Sequence, residues 1–232
     1  MRFWVSRSSR FLRGALAGLA VTAALGGMAW AADAVLKPGA EKPKDAVVLF
    51  DGADTSHWEQ TQWPVKDGAM VSEKGDTTTK EKFKDYQLHL EFNEPKLGPE
   101  FKDQDRGNSG VYQQGRYELQ VLDSYHNETY PLGVCAAVYG VKAPSKNMAK
   151  PPGEWQTYDI TFHAAKFKDG KKVENAHITV YWNGELVQDN TEIPGPTGGG
   201  AKEEDTPGPI RLQFHNHSVQ FRNIWIVPLK AE

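Results

Sequence analysis

Arg211-Leu-Gln-Phe-His215, followed closely by Val219-Gln-Phe-Arg-Asn-Ile-Trp-Ile-Val227, reads as two β-strands with a short connection. Side chains alternate along a strand, so Leu212 and Phe214 point one way and Arg211, Gln213 and His215 the other. Three hydrogen-bonding groups on one face, beside a strand that carries Arg222, suit a sugar-binding surface better than a plain solvated one. A second segment with matching chemistry would turn that surface into a site.

Upstream, the chain repeats the same short-strand grammar. Trp63-Pro-Val-Lys-Asp-Gly-Ala-Met-Val71 reads as a hairpin turning at Asp67-Gly68. Tyr86 to Phe92 alternates, with Tyr86, Leu88, Leu90 and Phe92 on one face. Ser109–Gln113 and Arg116–Asp123 form a strand pair joined at Gln114-Gly115, and Trp155–His163 is a further strand. Ala176–Trp182, Asn183-Gly184 and Glu185–Gln188 give the clearest hairpin. Asn93–Gly107, Ala143–Gly153 and Thr191–Pro209 read as loops. No segment sustains helical spacing, so the residues predict an antiparallel β-sandwich or barrel. Val47–Phe50 and Ile224–Val227 are expected to pair in one sheet.

The N-terminus is read separately. Arg2, Arg7, Arg10 and Arg13 precede a small apolar run, Gly14 to Ala29, and Ala29-Trp-Ala31 has the form of a cleavage site. Residues 1–31 are therefore expected to be a signal peptide, which places the mature protein in the periplasm or outside the cell. Residues 32–45 follow as a flexible arm and 46–230 as a single β-sandwich domain. No other run reaches the roughly 20 apolar residues of a membrane span, so no stable span is expected after cleavage. The chain has 27 basic and 30 acidic residues, and removing the four leader arginines leaves 23 against 30, a net of −7. That balance argues against nucleic acid as a partner. The 7 Trp and 11% aromatic content suit a large β core, a sugar-stacking surface, or both. The single Cys135 lies in an apolar run and reads as a small buried residue.

The matching chemistry comes from Tyr117–Asp123. Glu118 and Gln120 occupy one face of that strand and Tyr117, Leu119 and Val121 the other. If its polar face joins that of Gln213 and His215, a carboxylate, two amides and an imidazole converge. Such a set can run general acid–base chemistry with amides holding hydroxyls. Glu118, Asp123 and His215 could instead hold a divalent metal ion. Arg222 is a candidate for polarising a carbonyl oxygen or pairing with a carboxylate. Asn108 and Ser109 are candidates for binding sugar hydroxyls, and Trp155 reads as core. His57, His89, His126, His163 and His177 read as surface or hairpin positions. Zincin, nucleophile-elbow and phosphate-loop motifs do not occur.

In order along nearly the whole mature chain, the segments resemble the 3-keto-disaccharide hydrolase domain family. They are Leu49-Phe-Asp-Gly52 with Trp58, Trp63–Gly68, Tyr86–Phe92, Gly107-Asn-Ser-Gly-Val-Tyr112 and Tyr117-Glu-Leu-Gln-Val-Leu-Asp123. Then come Ala137-Val-Tyr-Gly140, Pro151–Trp155, Val180–Gly184, Leu212-Gln-Phe-His215 and Phe221-Arg-Asn-Ile224. The resemblance implies a concanavalin-like jelly roll of two antiparallel sheets with a carbohydrate site on a concave face, and adds Tyr139 to the substrate-binding candidates. It also implies substrates that are glycosides oxidised at C3. A 3-keto group acidifies the C2 hydrogen, a base removes it, and the enolate expels the C1 substituent. Elimination followed by rehydration amounts to hydrolysis. Glu118 or His215 would be the base, and Arg222 or a cation would stabilise the enolate. One departure stands out: many relatives carry aspartate between the Gln and His of the penultimate strand, where this chain has Phe214. A non-catalytic carbohydrate-binding or adhesion module, or a periplasmic structural domain, could use the same fold. A convergent acid and base would separate the enzyme from both.

Overall fold

The computed structural model describes Met1, Gly39 and residues 41–59 and 62–230. Apart from Met1, the expected signal peptide lies outside the described residues, as does the arm up to residue 40 apart from Gly39. The strands are β1 (Val47–Phe50), β2 (Val65–Lys66), β3 (Ala69–Val71), β4 (Thr77–Thr78), β5 (Tyr86–Asn93), β6 (Ser109–Gln113) and β7 (Tyr117–Val121). They continue as β8 (Gln156–His163), β9 (Lys166–Lys168), β10 (Lys171–Glu174), β11 (Ala176–Trp182), β12 (Glu185–Ile193), β13 (Arg211–Leu212) and β14 (Gln220–Pro228). A 3-10 turn at Pro131–Gly133 is the one helical element among the described residues. None of them forms a helix long and apolar enough to cross a membrane.

The large sheet runs β12-β11-β8-β5-β14-β3-β2, with β1 also on β14, and the small sheet runs β4-β13-β6-β7. Every pairing is antiparallel. As expected, β1 lies on β14, with Val47 opposite Ile226 and Val48 opposite Trp225. The Asp67-Gly68 and Asn183-Gly184 hairpins form at the positions that turn chemistry predicts, and Asp67 and Asn183 both take a positive φ.

The two sheets bury one continuous core between them, including Leu88, Leu90, Phe92, Val111, Leu119, Val121, Ile160, Phe162, Leu212 and Ile226. Polar tips that enter this core find partners on the opposite sheet. The Tyr86 hydroxyl donates to Gln113 Oε1 at 3.0 Å and the Tyr158 hydroxyl to the Gln120 carbonyl at 2.7 Å. Cys135 is buried with its Sγ 3.0 Å from that same Tyr158 hydroxyl, which matches the structural reading of the thiol.

The closing segment differs from its sequence reading. Only Arg211 and Leu212 are strand, and the chain then crosses from the small sheet to β14 in the large one. Side chains take over where the ladder stops. The Ser109 hydroxyl donates to the Gln213 carbonyl at 2.6 Å and the Phe214 N–H to Asp76 Oδ1 at 2.9 Å. The two stretches thus belong to opposite layers of the sandwich rather than to one face.

Candidate functional site

The register of the small sheet assembles the site. Gly110 lies opposite Gln120, Tyr112 opposite Glu118, and Arg211 opposite Tyr112. Side chains directly across an antiparallel pair share a face. Tyr112, Glu118, Gln120 and Arg211 therefore project together from the side away from the core, while Val111, Leu119 and Leu212 project into it. Gln213, whose N–H donates to the Gly110 carbonyl at 3.0 Å, joins them.

Glu118 is 5% exposed. Its Oε2 accepts from the Tyr112 hydroxyl at 2.9 Å. A Cβ on Gly110 would sit 2.4 Å from Glu118 Oε1, so the carboxyl lies flat across a position that only glycine leaves open. Burial pushes its pKa up to about 7, against the Tyr112 hydrogen bond and the Arg211 charge, which favour the ionised form. An acid in this range can take or give a proton at neutral pH. A raised value alone does not mark a site. Glu94, fully buried and hydrogen-bonded by Gln156 Nε2 at 2.7 Å, is also raised by burial, to about 8, yet it has no arginine and no tyrosine hydroxyl against it among the bonds described.

Arg211 stacks on the Tyr112 ring with its guanidinium carbon 3.6 Å from the centroid. It donates through Nη2 to the Gly199 carbonyl at 2.8 Å and lies 3.7 Å from Asp76. The loop at 197–200 walls this side. Thr197 Oγ1 accepts from the Glu118 N–H at 2.8 Å, and the Gly198 carbonyl lies 2.9 Å from the Tyr112 hydroxyl as a second acceptor for its one hydrogen. Gly199 has φ +70°, and a Cβ there would press on that hydroxyl at 3.2 Å. On the β7 side, the Tyr139 N–H donates to the Glu118 carbonyl at 3.1 Å, and the Tyr130 and Tyr139 hydroxyls are 2.6 Å apart. Gln120 Nε2 donates to Gln104 Oε1 at 3.1 Å and Gln213 Nε2 to the Tyr112 hydroxyl at 3.3 Å. The Oε1 atoms of both glutamines are buried without a partner. Each is an acceptor that no described group satisfies.

The face therefore gathers Glu118, Gln120, Gln213 and Tyr139 of the expected site residues. Ser109 is turned away, its hydroxyl spent on the Gln213 carbonyl. Asn108 is buried, and its Nδ2 donates to the Gln104 carbonyl at 2.8 Å, so it braces a loop at the rim. Asp123 is buried against Arg106 at 2.7 Å, with burial holding its pKa above the ordinary value. His215 is exposed, three residues past the end of β13. Glu118, Asp123 and His215 do not converge, and no metal-holding group of three His, Cys, Asp or Glu occurs among the described residues. The expected metal set does not fit this geometry. Phe214 packs toward the core, the direction its strand position predicts.

Arg222 is placed elsewhere. It lies on β14 in the large sheet, opposite Glu91, with Nε 2.7 Å from Glu91 Oε2 and its guanidinium carbon 3.9 Å from the Trp155 centroid. Trp155 is thus half-buried beneath an arginine rather than a core residue. His89, expected at the surface, is buried with Nδ1 2.6 Å from Asp159 and its ring stacked on Trp225 at 4.9 Å. Sequence reasoning missed Tyr112, Tyr130, Gln104 and the 197–200 loop, and left Arg211 out of the converging set. The two-residue turn read at Gln114-Gly115 would set Tyr112 opposite Tyr117; the connection has three residues, 114–116, and that one-residue shift is what sets Tyr112 opposite Glu118. The 197–200 loop carried no signal, because nothing local brings residue 198 to residue 112.

A near-neutral acid flanked by amides on the outer face of a β-sandwich sheet fits the carbohydrate-active class to which the comparisons assign the chain. The chain belongs to the 3-keto-α-glucoside-1,2-lyase-like domain family, which it matches over residues 45–227. Its antiparallel architecture is the concanavalin-like jelly roll that the resemblance implied. A solved structure of a candidate glycosyl hydrolase from Parabacteroides distasonis is 42% identical, with 81% of this chain and 85% of that one covered and a TM-score of 0.76. A second from the same organism, also a candidate glycosyl hydrolase, is 26% identical, with 79% and 99% covered and a TM-score of 0.56. A third shares the fold at 20% identity, with 80% and 94% covered and a TM-score of 0.59. No curated protein matches the chain.

Proposed function

We propose that this is an exported enzyme that cleaves 3-keto-glycosides by elimination across C1 and C2, with rehydration giving net hydrolysis. The observation that carries the reading is the Glu118 carboxyl, buried on the outer face of the small sheet with the Tyr112 hydroxyl 2.9 Å away and Arg211 across the sheet from that tyrosine. Glu118 takes the C2 hydrogen that the 3-keto group has acidified. The electron pair left behind spreads onto the C3 oxygen as an enolate, which Arg211 stabilises by charge and hydrogen bonding. Collapse of the enolate forms the C1–C2 double bond and breaks the C1–O bond, and the proton on Glu118 passes to the departing oxygen. Gln120 and Gln213, whose Oε1 atoms are buried without a partner, turn those acceptors to the ring hydroxyls when substrate binds. Arg211 takes the role that the sequence suggested for Arg222. Export is supported by the basic leader and the Ala29-Trp30-Ala31 segment.

The test is incubation of the mature protein with a 3-keto-α-glucoside and with the unoxidised parent glucoside, with and without a chelator. The expected result is release of the leaving group from the keto substrate alone, with transient absorbance of the conjugated enone and no effect of the chelator. Saturable binding without cleavage would make it a binding module instead. Cleavage of the parent at an equal rate would remove the keto group from the mechanism.

A further inference from the structure

The Tyr112 hydroxyl carries one hydrogen and faces two acceptors, Glu118 Oε2 and the Gly198 carbonyl, each at 2.9 Å. Gln213 Nε2 approaches the same oxygen at 3.3 Å as a donor. When Glu118 is ionised, its carboxylate is the stronger acceptor and takes the tyrosine hydrogen, as charge-assisted bonds are about twice as strong as neutral ones. The Gly198 carbonyl then has no hydrogen from Tyr112. When Glu118 is protonated, it donates Oε2–H to the tyrosine oxygen, and the tyrosine hydrogen turns to Gly198. The chain Glu118–Tyr112–Gly198 is complete only in that state.

We propose that Tyr112 is a positioning residue that couples the proton on Glu118 to the loop at 197–200, fastening the wall of the site when the acid is protonated and loosening it when the acid is ionised. The loop is built for such a contact. Arg211, stacked on the same tyrosine ring, holds the next carbonyl, that of Gly199, at 2.8 Å. Thr197 anchors the near end to the Glu118 N–H and, through its own N–H, to the Arg116 carbonyl at 3.1 Å. Gly199 leaves the tyrosine oxygen the room a Cβ would take. The charged and titratable groups facing Glu118 are Tyr112 from β6, Arg211 from β13, Asp76 ahead of β4, and Tyr130 ahead of the 3-10 turn. Tyr112 and Tyr130 are both held above the ordinary tyrosine range by burial, and so keep their hydrogens at any pH where Glu118 titrates. In turnover the loop would tighten on the enolate after proton abstraction and relax once the proton leaves with the product.

This inference rests on Glu118 as the group that titrates in the proposed reaction, but its test needs no substrate and so stands apart from the substrate assignment. In isotope-labelled mature protein, the Gly199 amide, bonded to the Gly198 carbonyl carbon, reports on hydrogen bonding at that carbonyl. It is expected to titrate with the same midpoint as the Glu118 side-chain carboxyl carbon. In Tyr112→Phe, Gly199 should stop responding while Glu118 still titrates, at a higher midpoint because a donor to the carboxylate is gone. In Glu118→Gln, whose amide can donate to the tyrosine as the protonated acid does, Gly199 should stay at its low-pH position throughout. A flat Gly199 resonance while wild-type Glu118 titrates would overturn the proposal, as would an unchanged Gly199 titration in Tyr112→Phe.

Discussion

Among the described residues are two arginine–aromatic–carboxylate clusters, one on each sheet, and they behave in opposite ways. On the large sheet Arg222 covers Trp155 and donates directly to Glu91 at 2.7 Å, with Asn223 Nδ2 adding a bond to the other carboxylate oxygen at 2.9 Å. Burial raises the Glu91 pKa, but those bonds and the Arg222 charge outweigh it, and the group is held below its ordinary range. On the small sheet Arg211 covers Tyr112 and spends its hydrogen bond on a loop carbonyl instead of on Glu118. Glu118 keeps a single donor and a raised pKa. A carboxylate fully matched to its arginine has no proton chemistry left near neutral pH. One given a positive neighbour but denied a direct pair stays ready for it.

The sharpest way to break this contrast is Glu118→Gln. Turnover of a 3-keto-glucoside should fall by roughly 10²–10⁴-fold, the usual worth of a general base, with substrate binding retained. In the wild type the ionised fraction of Glu118 rises with pH, so kcat/KM should climb through about 7 and then level off. Stability should move the other way. The folded pKa lies above the unfolded one, so the contribution of Glu118 is complete below the ordinary carboxylate range and is lost as pH rises through about 7. Glu118→Gln, which mimics the neutral acid, should therefore melt higher than wild type at pH 8 while being inactive. An inactive variant that is also less stable there would point to a structural role for the carboxyl.

Arg211→Met comes next. Loss of the guanidinium should lower kcat by about 10²-fold, the scale of one oxyanion donor, and Arg211→Lys should recover only part of it because a point charge cannot both stack and reach Gly199. Equal activity in all three proteins would remove Arg211 from the reaction. A smaller effect is expected from Gly110→Ala. The added methyl needs space now held by Glu118 Oε1, 2.4 Å away, so the carboxyl must swing off the sheet. Misplacement by about an ångström can cost up to 10²-fold in rate. The expected loss is in kcat at nearly constant KM, with a shifted pH midpoint, and a full crystal structure of the variant would show the displaced side chain.

Much of the sandwich was legible because strand alternation and two-residue turns are local. Asp67-Gly68 and Asn183-Gly184 fixed two hairpins, and the Tyr86–Phe92 alternation put Leu88 and Leu90 in the core. Glu118 and Gln120 were legible for the same reason. What the sequence hid was which strand ends in which sheet. Phe214 sits where a one-face strand would continue, but its N–H goes to the Asp76 side chain and the chain leaves the layer. That crossing carries Arg222 to the far sheet and leaves Arg211 as the arginine beside Glu118. No spacing within the closing segment encodes it, because the choice is made by tertiary partners at residues 76 and 109.

Arg222→Ala gives the smallest effect and the cleanest check on the comparison. The Arg222 side chain is 39% exposed, so its pair with Glu91 is screened by water, and exposed pairs contribute about 0–1 kcal/mol. Part of what is lost is packing, since the alkyl stem and guanidinium cover the Trp155 ring. The melting temperature should drop slightly, and the drop should shrink at high salt as far as it comes from the ion pair. Trp155 fluorescence should shift red as the ring meets water. Turnover should stay within about twofold of wild type, because Arg222, Glu91 and Trp155 make their contacts on the large sheet and none with Glu118 or Arg211, and a surface change of this size alters stability only slightly. A hundredfold loss of kcat would instead make the large-sheet cluster the reactive one, and Glu118 merely a buried acid like Glu94.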